Sequence, residues 1–373
     1  MASIRKRPDR ANPWQARWRD PDGSSRSKSF RRKVDAQRFL ATVEADMLRG
    51  SYVDPSAGKV TLRDFGETWL GAQTFDDSTR EAVTARLRSH VYPHLGEHEL
   101  RAIRPSTLQQ WLATLQRQLA PSYVRVILAN VSAMLGAAVE DGIIAHNPAR
   151  SSSVRPPRVD TERVEPWPRE QVDAVIAAHA DPYQAVPILA AGCGLRQGEC
   201  FGLRVDDVDF LARRVHVRRQ VKLVGGRPTL APPKGGRTRD VPLPDAVSYA
   251  LAERLREHAP GPDGVIFSSR EGGLLDRTHY NPYVWKPALR AAGVEPSRAN
   301  GMHALRHYYA SALLEAGVSI RAVADYLGHA DPGFTLRVYA HLMPQAEDRA
   351  RAAMDAELGP RVAHSWPNSR ANG

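Results

Sequence analysis

The sequence predicts an α+β chain that is mainly α. A small N-terminal three-stranded sheet plus helix comes first, then a helical domain, then a mixed, mostly helical domain with a small antiparallel sheet. Three observations support this. Period-two alternation marks residues 13–30 and 213–221, so strands belong to both ends of the chain. Helical spacing dominates between and after them. A Ser-, Pro- and Arg-rich stretch at 149–168 has no apolar period and reads as a linker. At 373 residues the chain has room for two or three domains. The expected units are 1–56, 60–148, the basic linker 149–168, 169–358 and a disordered tail at 359–373.

The elements follow in order. In "PWQARWR", Trp14, Ala16 and Trp18 alternate with Gln15, Arg17 and Arg19, giving one aromatic and one basic face. "DPDG" turns the chain, and "SRSKSF" alternates again, with Arg26 and Lys28 in phase. A helix then places Phe39, Leu40, Val43, Met47 and Leu48 on an apolar stripe. Such a sheet backed by a helix can present a basic face to a nucleic-acid groove, with Arg17, Arg19, Arg26 and Lys28 as its candidate contacts.

Residues 61–147 read as all-helical: Leu62, Phe65, Trp69 and Leu70, then Val83, Leu87 and Val91, keep helical spacing. Ser106 with Gln109 reads as a capping box opening the next helix. Within the linker, Arg150, Arg155, Arg158 and Arg163 suit a segment lying along phosphates, and suit plain solvation equally. Beyond it, helices are expected at 169–180, 183–191, 197–203, 245–258, 281–292, 303–316, 319–327, 333–341 and 344–357. A strand is expected at 213–221, and a hairpin tipped by Lys234, Gly235 and Gly236. The 344–357 helix carries a stripe of Ala346, Ala350, Ala353 and Met354, with Leu358 just beyond it, for docking on a neighbour or in cis.

Composition narrows the partner. Lys and Arg number 52 against 41 acidic residues, a formal charge of +11. Residues 1–50 alone hold 13 basic against 6 acidic side chains. That balance favours a polyanion: nucleic acid first, an acidic membrane surface second. No apolar run near 18 residues is evident, which argues against a membrane span, and the basic N-terminus lacks an apolar signal core. Two cysteines, Cys193 and Cys200, make no disulfide framework and read as small core residues.

"HALRH" sets His303, Arg306 and His307 within five positions. Histidines four apart match metal-ligand spacing, but the zinc-helix pattern needs a Glu that is missing here. Arg306 shares the helical face and would repel a divalent ion while attracting an anion. "GCGLRQGE" puts Arg196 at a helix start with Glu199 one turn on, where backbone N–H groups favour a negative ligand. "YLGHAD" ends a helix at Gly328 and exposes His329, and "RVYAHL" supplies Tyr339. The set offers arginines, histidines, a lysine and a tyrosine without a carboxylate cluster for Mg²⁺. It suits metal-free phosphoryl transfer; a polar helix face with satisfied histidines remains open for "HALRH" alone.

Taken together and in this order, "GLRQGE", "PKGGRTRDVPL", "HALRH", "LGH" and "TLRVYAHL" resemble the tyrosine recombinase or phage integrase family across 169–350. The chain departs from the usual pattern at Cys193, Cys200, Pro233 and Gly235. The resemblance implies Tyr339 as nucleophile, and Arg196 and Arg306 on the phosphate oxygens. It further implies Lys234 as general acid, His303 as general base, His329 as a phosphate hydrogen-bond donor and Glu199 as support for Arg196. His307 reads as a packing or supporting residue. Upstream the resemblance is weaker: 61–147 is similar to the family's core-binding domain and 5–50 to its arm-binding sheet.

The implied activity is site-specific recombination through a 3′-phosphotyrosyl intermediate, without metal, ATP or other cofactor, integrating or excising a mobile element such as a viral genome. The implied partners are double-stranded DNA attachment sites and further copies of the chain: a homo-tetramer in the synaptic complex and a monomer or dimer when free. A directionality factor and a DNA-bending host protein also belong to that picture, as does a cytoplasmic, nucleoid-associated location without membrane contact. A type IB topoisomerase-like nicking-closing enzyme, a non-catalytic DNA-binding regulator and a metal-dependent nuclease are the rival readings.

Overall fold

The computed structural model describes residues 3–20, 23–49, 52, 54, 57–159, 165–339 and 351–358. The chain forms two compact units, residues 1–161 and 162–373.

The first unit opens with an antiparallel sheet of β1 (Ser3–Lys6), β2 (Trp14–Arg19) and β3 (Ser25–Phe30), in that order, covered by α1 (Lys33–Leu48). Ala16 and Trp18 face Ala36, Leu40 and Val43 in a small core. Leu48, expected on the apolar stripe, is 90% exposed. The register corrects the expected basic face. Arg26 lies opposite Trp18 and Lys28 opposite Ala16, and directly paired residues point to the same side of a sheet. Both therefore stand on the helix-covered face. Arg26 pairs with Asp20 and with Asp54, and the Lys28 ammonium sits 4.8 Å from the Phe39 ring centroid. The opposite face keeps Arg17 and Arg19, both exposed, and adds Arg5, paired with Gln15.

The rest of this unit is helical: α2 (Leu62–Ala72), α3 (Asp77–Arg86), a wide turn at Leu87–Val91, α4 (Tyr92–Leu95), α5 (Pro105–Gln116) and α6 (Pro121–Glu140). Their core joins Leu62, Phe65, Val83, Leu87, Leu108, Trp111, Ile127 and Val131. The expected capping box at Ser106 does not form. Pro105 starts α5, where its missing N–H costs nothing, and the Gln109 side-chain oxygen instead accepts from the Arg155 backbone N–H at 2.7 Å. Val154, within the expected linker, is buried in the same core. Helix α6 is long and apolar enough to cross a membrane, against the expectation that no segment is. Its Val124, Ile127, Leu128, Val131, Met134 and Leu135 are buried in the helical core.

The second unit places helices around small sheets. It comprises α7 (Arg169–Ala177), α8 (Ala185–Cys193), α9 (Gln197–Gly202), β4 (Val208–Asp209), β5 (Arg214–Val217), β6 (Gln220–Val224), β7 (Arg227–Ala231), β8 (Arg239–Pro242) and α10 (Asp245–Glu257). Then come α11 (Arg277–Tyr280), a wide turn at Asn281–Trp285, α12 (Lys286–Ala291), α13 (His303–Glu315), α14 (Ile320–Leu327) and α15 (Pro332–Tyr339). Cys193 and Cys200 are buried on separate helices, α8 and α9, rather than along one.

The expected strand at 213–221 divides at Arg218–Arg219. β5 joins β4 and β8 in one sheet, while β6 pairs with β7 through the Gly225–Gly226 turn in a separate two-stranded sheet. Packing explains the break. β6 lies directly on α9, so close that a Cβ on Gly202 would sit 2.8 Å from the Gln220 Cα. The expected hairpin tip at Lys234–Gly236 is thus a connection between two sheets. Residues 351–358 are helical and exposed. Arg163, the 344–350 part of the expected last helix and the expected tail at 359–373 lie outside the described residues.

Candidate active site

Three chain breaks converge on one face of the second unit. α8 ends at Gly194, whose φ of +64° is left-handed. The Tyr309 ring packs beneath it, with Cδ1 2.3 Å from where a Cβ would stand. Only glycine tolerates both demands. Arg196 then occupies the N-cap of α9. α14 ends in the same way at Gly328, φ +64°, and puts His329 just past the cap. α13 starts at His303 and carries Arg306 and His307 on the same face, three and four residues on.

Glu199 organises the first arginine. It is 1% exposed, and its carboxylate accepts from four donors. The Arg196 backbone N–H (2.8 Å) and the Arg196 guanidinium (2.9 Å) supply two. Arg239 of β8 supplies the others, at 3.0 and 2.6 Å. Burial alone would raise this carboxyl, but the Arg239 hydrogen bonds and the two guanidinium charges hold it down at about 2. At the start of α9, expected to attract an external anion, the Arg196 backbone N–H is taken by the protein's own carboxylate. The Arg196 side chain stays 26% exposed and is the guanidinium open to a ligand.

Arg306 is almost wholly buried. Its guanidinium donates to the Gly194 carbonyl at 2.6 Å, to the Leu327 carbonyl and to His329 Nε2 at 3.2 Å. Among the described residues, these bonds use three of its five N–H groups. Burial and then repulsion from Arg196 lower Arg306 to about 9, so it stays charged at neutral pH. Arg239 also donates from Nε to the Tyr326 carbonyl at 2.6 Å. Two guanidiniums thus fasten the carbonyl end of α14, the negative end of its dipole, and through it set His329. Three guanidiniums and one carboxylate leave an excess of two positive charges.

His329 is half-buried rather than exposed. Its Nδ1 is 2.8 Å from the Thr335 hydroxyl, and Thr335 is fully buried. With Nε2 accepting from Arg306, Nδ1–H donates to Thr335 and the ring is neutral. Burial first, then Arg306 and Arg196, depress it to about 4.

Tyr339 ends α15 and is 2% exposed. Burial pushes its hydroxyl up to about 12, with Arg306 pulling the other way. The phenol meets a different imidazole from the one expected. His307 Nδ1, not His303, lies 2.6 Å from its oxygen. His303 stands beyond His307, ring edge to ring face at 4.7 Å between centroids, and is solvent-exposed. Desolvation leads the causes that lower His303 to about 4, followed by His307, Arg306 and Arg196.

Lys234 is exposed on the β7–β8 connection and makes no hydrogen bond to the cluster among the described residues. Arg17 and Arg19 belong to the first unit's exposed face, as described above. Among the described residues, Asp181, Glu257 and His258 form a group of three whose ligand atoms lie within 4.8 Å of one another. Sequence reasoning missed three residues of the cluster: Arg239, Thr335 and the direct contact of His307. The two arginines of "RTRDVPL" gave no sign of which one faces inward. Strand alternation relative to Val241 was the available clue.

A cleft of about 610 Å³ adjoins the cluster, lined by Gln197, Asn281, Lys286, Arg298 and His303 among others. Its basic and amide side chains give a polar floor next to the exposed edge of the site.

Residues 168–346 match the phage integrase family, and residues 62–153 match the phage integrase central domain. A putative prophage phiRv2 integrase of Mycobacterium tuberculosis is 28% identical over 358 residues, covering 92% of this chain and 92% of that one. The fold resembles the Tn1549 transposon integrase solved with a circular intermediate DNA, with a TM-score of 0.68 and 21% identity over 80% of this chain and 99% of that one. It also resembles a lambda integrase tetramer bound to a Holliday junction, with a TM-score of 0.59 and 17% identity over 88% and 96%.

Proposed function

Because the chain belongs to the phage integrase family of tyrosine recombinases, we propose that it cuts and rejoins DNA through a 3′-phosphotyrosyl link made by Tyr339. The observation that carries this is the convergence of Tyr339, Arg306, Arg196 and His329 on one buried, positively charged spot, with Arg306 touching His329 directly.

The chemistry follows from the groups present. A scissile phosphate docks on the exposed Arg196 edge and draws on the Arg306 guanidinium. Fork-shaped guanidinium pairs match its non-bridging oxygens. Charge builds on those oxygens in the pentacoordinate transition state, where each fixed donor is worth roughly 3–4 kcal/mol by the measure of oxyanion holes. Arg306 and Tyr339 are both covered in this conformation, so docking requires the cover to open. His329 accepts from Arg306 here, so to donate to a phosphate it must carry a proton on Nε2, either by taking up a proton, which the incoming negative charge favours, or by a tautomer exchange in which the Thr335 hydroxyl donates to Nδ1. His303, at the exposed edge, faces the phosphate or the next nucleotide. Lys234 protonates the leaving 5′-oxygen once its connection folds over the DNA. The phosphodiester energy is kept in the tyrosyl link, and a 5′-hydroxyl from another strand reverses the step.

The wider assignment follows the same reading. The partners are double-stranded attachment sites, four copies of the chain in the synaptic complex, a directionality factor and a DNA-bending host protein. Work at the chromosome would place the protein in the cytoplasm. Arg5, Arg17 and Arg19 form the N-terminal DNA-facing surface, and the 60–148 and 169–358 regions grip the core site. The relatives named as prophage integrases favour integration of a mobile element over supercoil relaxation.

The test is strand cleavage on a nicked attachment-site substrate. The chain should form a covalent DNA adduct resistant to EDTA, and Tyr339→Phe should lose the adduct while binding DNA normally. An adduct that persists in Tyr339→Phe would reject the nucleophile. Cleavage abolished by EDTA would point to a metal-dependent nuclease.

A further inference from the structure

The phenol and the imidazole of His307 form a pair whose chemistry the reading above leaves unused. Nδ1 and the phenolic oxygen are 2.6 Å apart, with ring planes inclined at 55°. The groups that face His307 are His303 and Arg306 on its own helix and Tyr339 from α15. The His307 carbonyl is held by the Ser311 hydroxyl at 2.8 Å, one turn on. Burial, then the neighbouring Arg306, lowers His307 to about 4. A neutral imidazole therefore meets an un-ionised phenol at pH 7. With the ring proton on Nε2, the phenol donates and Nδ1 accepts.

We propose that His307 is a catalytic residue: Nδ1 takes the Tyr339 proton as the phenolic oxygen attacks phosphorus. The proposal rests on Tyr339 being the nucleophile. In the step, the bond from the phenolic oxygen to phosphorus forms and the bond from phosphorus to the 5′-oxygen breaks, its electron pair going to that oxygen. The phenolic proton moves to His307, and the Lys234 ammonium gives a proton to the 5′-oxygen. The site is left with an imidazolium, a neutral amine, a phosphotyrosine and a 5′-hydroxyl. Rejoining reverses both transfers, so no outside acid, base or oxidant is consumed. An imidazolium beside Arg306 is disfavoured alone. It becomes favourable as negative charge grows on the phosphate, so the base gains strength where the transition state needs it. His303, one ring further from the phenol, is left free to meet the phosphate.

The test is single-turnover cleavage by the full chain on a nicked substrate. It compares wild type with His307→Ala, His307→Gln and Lys234→Ala. Each acts on the ordinary phosphodiester and on a 5′-bridging phosphorothiolate, whose thiolate leaves without a proton. Loss of a general base should slow phosphotyrosine formation about 100-fold or more at pH 7. The deficit should shrink as pH rises toward 9.5, because a growing phenolate fraction no longer needs the base. Free imidazole should restore part of the His307→Ala rate, and the thiolate substrate should rescue Lys234→Ala but not the His307 variants. His307→Gln keeps a hydrogen-bonding side chain of similar length, so it carries the test if Ala disturbs folding. A deficit equal at every pH, or one cured by the thiolate leaving group, would overturn the proposal. A wild type that forms no adduct, or an adduct that survives Tyr339→Phe, would instead sink the underlying reading.

Discussion

Replacing Glu199 by Gln removes the charge of the one carboxylate in the cluster. Its oxygens receive four hydrogen bonds, from Arg196 twice and Arg239 twice. A carboxyl held at about 2 rather than 4.5 corresponds to about 3 kcal/mol of folding stability at neutral pH. Gln preserves the volume but offers one acceptor, and turns an amide NH₂ toward cations. Breaking a buried pair on one side costs about 3–5 kcal/mol, so the variant should lose about that much at pH 7.

The sign of the pH dependence is fixed by the depressed value. The ionised carboxylate contributes fully above about pH 4.5, and the contribution is lost as pH falls toward 2. The gap between wild type and Glu199→Gln should therefore close over that window. Urea unfolding at pH 7 and at pH 3, followed by hydrogen-exchange protection of peptides from residues 165–339, reads both numbers. A cost below about 1 kcal/mol at pH 7, or a gap that does not change with pH, would refute the argument.

Other outcomes follow from the same geometry. Arg239→Lys retains a charge but cannot serve Glu199 and the Tyr326 carbonyl together. DNA cleavage should fall by at least tenfold with DNA binding unchanged, whereas normal cleavage would remove Arg239 from the account. Gly328→Ala forces a left-handed φ of +64° on an L-residue and a Cβ 3.0 Å from Arg239 Cδ. It should cost about 1–2 kcal/mol and slow cleavage, as thermal melts and adduct assays can show. Arg17→Ala and Arg19→Ala should each reduce the salt slope of DNA binding by about one. Arg26→Ala should leave that slope alone and lower the stability of the N-terminal sheet. Acidification should loosen the cluster: His307 and His329 are held near 4, against about 6.5 in an unfolded chain. The folded form thus binds fewer protons, and stability should fall as pH drops from about 6.5 to 4; a flat profile would contradict the depressed values.

Much of the cluster was legible because its residues come with their own punctuation. Gly194 and Gly328 mark helix ends, and Arg196 and His329 follow each break within two residues. His303, Arg306 and His307 share a face by helical arithmetic alone. What the sequence did not reveal depends on contacts between distant segments. Whether His303 or His307 meets Tyr339 is decided by where α15 crosses α13, a matter of a single helical turn. The inward turn of Arg239 depends on β8 pairing with β5 rather than with β7. Likewise Arg26 and Lys28 alternate correctly within their strand. The register against β2 then places them with Trp18 and Ala16 instead of with Arg17 and Arg19. Local pattern fixes alternation; only the partner strand fixes which face is which.

The central claim is that one phenolic oxygen carries the cut strand. Tandem mass spectrometry of the peptide that retains a nucleotide after trapped cleavage and nuclease digestion tests it most directly. The account predicts a phosphate-linked nucleotide on Tyr339, attached through its 3′ end. A nucleotide on Tyr308, Tyr309, Tyr326 or any serine, or a link through the 5′ end, would contradict it.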